Sequence, residues 1–249
     1  MESVERANAV TNNEGGAEST ALRAIRSAGK SVLGPALAAV EHEGPAIETV
    51  ASRIADAVVG DKKVFAFGAG HAQAFAMELT HRAGGLRFFV AMNLEDIRTE
   101  KRDSFWQLRD SEPERDPANA AKLLAHFDVQ PGDVVLIASN SGRNGAIVEM
   151  ALECVQRGVF VAGFTSVLHS SAFPSTHPSG KRLMDVAQVV VDNHCPAGDA
   201  TVEIPGVGVA CGSSTASFAV LAQMLNRATI DELLARNVEV TVAISANVR

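Results

Sequence analysis

Apolar positions lay out the plan of this chain before any single residue is considered. Between Thr20 and Gly60, Leu22, Ile25, Val32, Leu33, Leu37 and Val40 recur near the helical period. Gly44-Pro45 interrupts them, and Ile47, Val50, Ile54 and Val58 resume the period. Two helices are predicted, with apolar faces for a core or for a second subunit. The pattern then changes. Lys63–Phe67, Leu86–Met92, Asp133–Ala138, Val159–Phe164 and Val186–Val191 read as short buried strands. His71–Ala83, Ala118–Phe127, residues 144–157 and a long stretch from Ser213 to Arg236 read as helices, and a short apolar tail follows. Residues 93–117 are charged and lack a period, which predicts an exposed loop.

Apolar strands alternating with helices predict an α/β fold whose parallel sheet is covered on both faces. Such a sheet binds ligands just beyond the carboxyl ends of its strands. That rule selects loops 68–72, 138–145 and 164–182 before any motif is considered. No internal repeat is visible, which argues against a solenoid.

Composition narrows the function. The 249 residues carry a net charge of −7 with no cluster of Lys or Arg, so no nucleic-acid partner is expected. No apolar run approaches the ~20 residues that span a bilayer, and no membrane partner is expected. Residues 1–19 are polar and lack the apolar stretch of a signal peptide; they read as a disordered leader ahead of a single domain over 20–249. Cys154, Cys195 and Cys211 form no CxxC, which argues against a disulfide framework or structural zinc and favours the cytoplasm. The histidines show no HExxH spacing, so no metal and no other cofactor is expected.

Ser139-Asn140-Ser141-Gly142-Arg143-Asn144 joins the clearest strand to a helix. Small hydroxyl residues and a glycine let backbone N–H groups converge on an anion, and phosphate is the natural guest. An ordinary turn with a serine cap is the alternative. Gly68-Ala69-Gly70-His71 follows the first strand in the same way. The third glycine of a dinucleotide fingerprint is absent, since position 73 is Gln. On the helix after it, His71, Glu78 and Arg82 share one stripe, with His81 on its edge. A histidine, a carboxylate and a guanidinium together form a candidate acid–base face, against the alternative of a solvated polar face.

Thr165-Ser166 ends the fourth strand and offers hydroxyls to the same anion. His169 and His177-Pro178-Ser179-Gly180-Lys181 follow, with Lys181 as a second charge for a phosphate or simply part of a surface turn. Glu203, between Val202 and Ile204, reads as a half-buried carboxylate or as an exposed residue on an edge strand. Gly212-Ser213-Ser214-Thr215 reads as the cap of the last helix.

Gly68-Ala69-Gly70-His71, Ser139-Asn140-Ser141-Gly142 and Thr165-Ser166 together resemble the sugar isomerase (SIS) domain family. Further segments resemble a stand-alone bacterial subfamily linked to N-acetylglucosamine 6-phosphate. They are Glu78-Leu79 with Arg82-Ala83-Gly84-Gly85, His177–Lys181, Gly198-Asp199-Ala200, Glu203–Gly206 and Ser245–Val248. The resemblance covers residues 30–249. It implies a five-stranded parallel sheet of flavodoxin-like type, with the N-terminal helices serving oligomerisation. It also implies a homodimer or larger assembly, sites near subunit interfaces and a phosphosugar ligand. The chemistry implied is that of a lyase (dehydratase) on an amino-hexose 6-phosphate. An aldose–ketose isomerase and a non-catalytic phosphosugar-binding regulator are the alternatives. Glu78 and Glu203 are then the candidate acid and base, in either order, and His71 the proton shuttle for ring opening. Gly70, Arg82, Ser139, Asn140, Ser141, Arg143, Asn144, Thr165, Ser166, His169 and Lys181 are candidate substrate contacts. SIS domains also occur fused to helix-turn-helix modules, and residues 1–60 are too short and too acidic to supply one.

Overall fold

The computed structural model describes residues 19–80, 82–97, 113–245 and 247. The leader up to residue 18, His81 and most of the 93–117 stretch lie outside them. Helix α1 (Thr20–His42) starts at Ser19, whose hydroxyl accepts the amide of Leu22 at 3.1 Å. Helix α2 (Gly44–Val59) has Pro45 in its first turn, where a missing N–H costs nothing. Five parallel strands follow: β1 (Val64–Gly68), β2 (Phe89–Met92), β3 (Val134–Ala138), β4 (Phe160–Thr165) and β5 (Val189–Asp192). They lie in the order β2-β1-β3-β4-β5. The connecting helices are α3 (Gln73–Leu79), α4 (Ala118–His126), α5 (Gly145–Gln156), α6 (Val167–Ala172) and α7 (Leu183–Val186), and α8 (Ser214–Ala235) closes the fold. This is the five-stranded parallel α/β architecture expected.

The unbroken apolar strands are explained by helices on both faces. Side chains alternate across the sheet. Val64, Ala66, Val134 and Leu136 enter one layer with Ile54 of α2, Phe75 of α3 and Phe218, Leu221 and Leu225 of α8. Phe65, Phe67, Val135 and Ile137 enter the other, with Leu123 and Leu124 of α4 and Ile147 and Met150 of α5. Burying each such side chain is worth roughly 1.5–3 kcal/mol. These layers therefore fix the strand ends from which the site loops spring. The chain steps outward from β1 to β2 and returns across the sheet to β3. Connections leave β1 and β3 in opposite directions, the switch point at which a sheet of this kind places its ligand crevice, beyond the carboxyl ends of the strands. Gly68 and Ala138 are partners in register at its floor.

Several elements differ from the pattern. The helix predicted over 71–83 is a short 3-10 turn at Gly70–Ala72 followed by α3, which stops at Leu79. Thr80 turns extended, and its hydroxyl takes the carbonyl of Ala76 at 2.8 Å. The strand predicted over 86–92 enters the sheet only at Phe89. Leu86 instead bridges Val242, and Gly84 and Gly85 exchange hydrogen bonds with Ala243. The apolar tail is thus tied down beside α3. An antiparallel hairpin not anticipated from the pattern, β6 (Ala200–Ile204) and β7 (Gly208–Gly212), packs against α1. Among the described residues, no helix is long and apolar enough to cross a membrane.

Candidate functional site

The loop after β1 is set by two glycines. A side chain at Gly68 would meet the Ala72 carbonyl at 2.4 Å, and Gly70 has φ +56°. This tight turn leaves His71 exposed at the mouth of the crevice.

The loop after β3 is stitched in place through its backbone. Ser139 Oγ accepts the Gly142 amide at 3.1 Å. The Asn140 carbonyl accepts the amide of Ser166 (3.1 Å) and the hydroxyl of Thr165 (3.3 Å). Gly142 sits at φ +58°, and an added Cβ would lie 2.7 Å from Thr165 Oγ1, so both conformation and space require glycine. Its carbonyl accepts Leu183 N at 2.7 Å, while the Arg143 carbonyl accepts the amide and hydroxyl of Thr176. These bonds brace the loop from within the protein. Ser141 is half-buried, and its hydroxyl enters no hydrogen bond among the described residues. The Arg143 guanidinium lies over the Phe173 ring at 5.7 Å.

Three of the expected ligand contacts also have partners within the protein. Ser166 is buried; its hydroxyl donates to Cys195 O (2.6 Å) and accepts from His169 N (2.9 Å) as the cap of α6. Thr165 is buried and braces Asn140. Asn144 donates to Glu114 Oε1 at 3.0 Å. His169 is half-buried, and its Nδ1 accepts the Gly198 amide at 2.9 Å, so its proton sits on Nε2. Burial pushes its pKa below the usual histidine value, Asp199 opposes that shift, and Arg143 adds to it. Lys181 is exposed.

Glu78 occupies a second place. Its carboxylate accepts from Arg82 and, at 2.8 Å, from Gln223 Nε2 of α8. Arg82 lies beyond the end of α3, yet the pair still forms. Both line an open groove of about 780 Å³ between α2, α3 and α8, with Ile47, Val220 and Met224. The stripe predicted for His71 and Glu78 assumes one continuous helix, whereas His71 stands in the 3-10 turn ahead of α3 and Glu78 near the end of α3. One is at the crevice and the other down in the groove. Glu203 is exposed on β6, the second of the two readings, because burial against α1 fades toward the Glu203–Ile204 end of the strand. It does not line the groove.

Three structural supports were not anticipated. Asp199 (φ +69°) caps α8, accepting the amides of Ser213 (3.1 Å) and Ser214 (2.7 Å). His177 is buried and bridges Glu149 of α5 (2.7 Å) to Ser179 (2.8 Å), anchoring the segment that carries Lys181. Asn193 is buried and bonds to Asn140. Asp199 and His177 stand in segments that the sequence marks, Gly198-Asp199-Ala200 and His177–Lys181, though not for these roles. Among the described residues, no group of three or more His, Cys, Asp or Glu side chains could hold a metal ion.

Comparison with known proteins adds the following. A family model for the SIS domain matches residues 31–166. The UPF0309 protein of Halalkalibacterium halodurans is 34% identical over 209 residues, covering 84% of this chain and 85% of its own. The UPF0309 protein of Streptomyces griseus is 34% identical over 211 residues, covering 84% and 82%. Among solved structures, the phosphoheptose isomerase GmhA of Neisseria gonorrhoeae superposes with a TM-score of 0.56 at 16% identity, over 85% of this chain and 100% of that one. The Vibrio vulnificus NanR protein, complexed with ManNAc-6P, superposes with a TM-score of 0.51 at 13% identity, over 86% and 64%. At these identities the two structures establish the shared fold.

Proposed function

Because the chain belongs to the SIS-domain family, within its UPF0309 group, we propose that it is a phosphosugar lyase. Its reaction is the dehydration of an amino-hexose 6-phosphate such as N-acetylglucosamine 6-phosphate. The observation that carries the phosphate assignment is the 139–144 loop, pre-shaped around Gly142 at the sheet's switch point. Backbone amides of this loop, the Ser141 hydroxyl and Arg143 hold the phosphate. The choice of an N-acetylated sugar rests on the motif resemblance.

In the mechanism that follows, His71 at the crevice mouth moves the proton that opens the sugar ring. A carboxylate then removes the C2 proton beside the C1 aldehyde, and the electron pair forms the C2–C3 double bond. The C3 hydroxyl leaves as water with a proton from a general acid. An N-acetyl group on C2 blocks simple conversion to a ketose, so elimination is the natural outcome. Glu78 is the carboxylate we assign to this work from within the protomer; Arg82 and Gln223 hold it at the wall of the open groove, apart from the 139–144 loop. Glu203 reaches such a site only from a second copy. The exposed Leu22, Ile25, Leu33, Leu37 and Val40 along α1, beside the hairpin that carries Glu203, are where that copy docks. The active form is accordingly a homodimer or larger.

Isomerisation is the second reading, since it shares the C2 proton abstraction and differs in returning the proton at C1. Incubation of the purified protein with hexose and amino-hexose 6-phosphates, followed by mass spectrometry, separates the readings. Loss of one water from N-acetylglucosamine 6-phosphate is the expected result. An unchanged mass with a new retention time means isomerisation, and no turnover of any sugar with binding retained means a regulator.

A further inference from the structure

Asn193 follows β5 and is fully buried at 0% exposure. A buried carboxamide has to satisfy both of its ends. Its Oδ1 accepts the backbone amide of Cys195 at 3.0 Å. A backbone N–H is always a donor, so this one bond assigns oxygen and nitrogen in the side chain. The nitrogen end then donates to Asn140 Oδ1 at 2.8 Å. The assignment passes along the chain of bonds: Asn140 offers its oxygen inward, and its own Nδ2 is turned the other way. No hydrogen bond among the described residues takes up that Nδ2, and Asn140 is only half-buried. Asn193 cannot shift to relax this arrangement. Its amide donates to the Thr165 carbonyl at 2.9 Å, and its carbonyl accepts Ser217 Oγ at 2.8 Å.

We infer that Asn193 is a positioning residue, which sets the polarity of the Asn140 carboxamide so that the 139–144 loop presents a donor, not a carbonyl, to the sugar phosphate. The inference rests on the proposal that this loop holds the phosphate. Phosphate oxygens only accept hydrogen bonds, so a reversed carboxamide would exchange an attraction for a repulsion. A hydrogen bond to a charged group changes affinity by about tenfold to a hundredfold.

The test is a double-mutant cycle read by calorimetric titration with N-acetylglucosamine 6-phosphate. Asn140→Ala is expected to lose about tenfold or more in affinity, and Asn193→Ala a large part of the same. The double variant should bind no more weakly than Asn140→Ala alone, since no carboxamide remains to be oriented. Asn193→Asp supplies a second variant should the alanine fail to fold. It keeps an acceptor for Cys195 but forces Asn140 to turn its nitrogen inward, so the loss should exceed that of Asn193→Ala and be partly relieved by adding Asn140→Ala. In the wild type, the isotope-labelled Asn140 side-chain amide resonance should move on adding the sugar, and in Asn193→Ala that movement should be lost. Losses that multiply independently, or a resonance that moves equally in both proteins, overturn the inference while leaving the phosphate reading intact. If instead Ser139→Ala with Ser141→Ala leaves affinity unchanged, the phosphate lies elsewhere and the inference falls with that reading.

Discussion

The 139–144 loop and the surface built by α1 with the β6–β7 hairpin are opposites in how they satisfy their own side chains. In the loop, the carbonyls of Asn140, Gly142 and Arg143 each have a partner, and Gly142 fits no other residue. On α1 only Ala36 and Ala39 are buried, while Ile25 is 68% exposed and Leu37 is 64% exposed. The backbone of the first region is tied down within one chain; the second is an apolar face without a counterpart among the described residues. The groove holding Glu78 lies between these extremes, polar at Glu78 and Arg82 and otherwise mostly apolar. On the proposed function, the contrast means that the phosphate loop is shaped within the protomer, while the proposed catalytic pair calls for a second copy.

The sharpest break in that comparison is at Glu78. Glu78→Gln keeps the shape and much of the hydrogen bonding to Arg82 and Gln223 but removes proton transfer. The kcat should fall by about 10²–10⁴-fold with phosphosugar affinity retained, as checked by steady-state kinetics beside calorimetry. Glu203→Gln should lower kcat in the same way if a second copy delivers it. Exchange of the C2 proton with solvent deuterium assigns the roles, because the variant lacking the base stops exchange and the variant lacking only the acid does not.

Next in size is the α1 surface. Ile25→Glu with Leu37→Glu preserves helix propensity and places charge on the stripe. Sedimentation should show the wild type as a dimer or larger and this variant shifted toward the 26.1 kDa monomer. A wild type that sediments as a monomer at micromolar concentration removes the second copy from the account.

The smallest effect concerns His169. Burial depresses its pKa in the folded chain, so the unfolded chain takes up the proton first as pH falls. Its contribution to stability is therefore full above the ordinary histidine value near ~6.5. That contribution is lost as pH drops from there through the lowered folded value. Protonation of Nδ1 would also break the bond from Gly198. Melting curves between neutral and mildly acidic pH should fall less steeply for His169→Gln than for the wild type.

Much of this was legible in the sequence, for physical reasons that can be named. Val134-Val135-Leu136-Ile137-Ala138 is apolar throughout because helices cover both faces, and a run of that kind announces a central parallel strand. The position of Ser139–Asn144 after it then marks a candidate ligand loop. Periodicity put His71 and Glu78 on one stripe, but it carried no sign that the helix would stop at Leu79 and Thr80 turn extended. It also gave no measure of the distance between crevice and groove. Apolar neighbours around Glu203 implied burial, whereas a two-stranded hairpin buries little on its own. Asn193 acts on Asn140, 53 residues away along the chain, and such a contact leaves no local pattern to read.

The central claim is that the 139–144 loop grips the phosphate of a sugar. Calorimetric titration of the wild type and of Ser139→Ala with Ser141→Ala against N-acetylglucosamine 6-phosphate tests it directly. The account predicts saturable binding by the wild type and a loss of about 1.5–3 kcal/mol for each charged-group hydrogen bond removed, with the fold unchanged by circular dichroism. Equal affinity in the two proteins would contradict it.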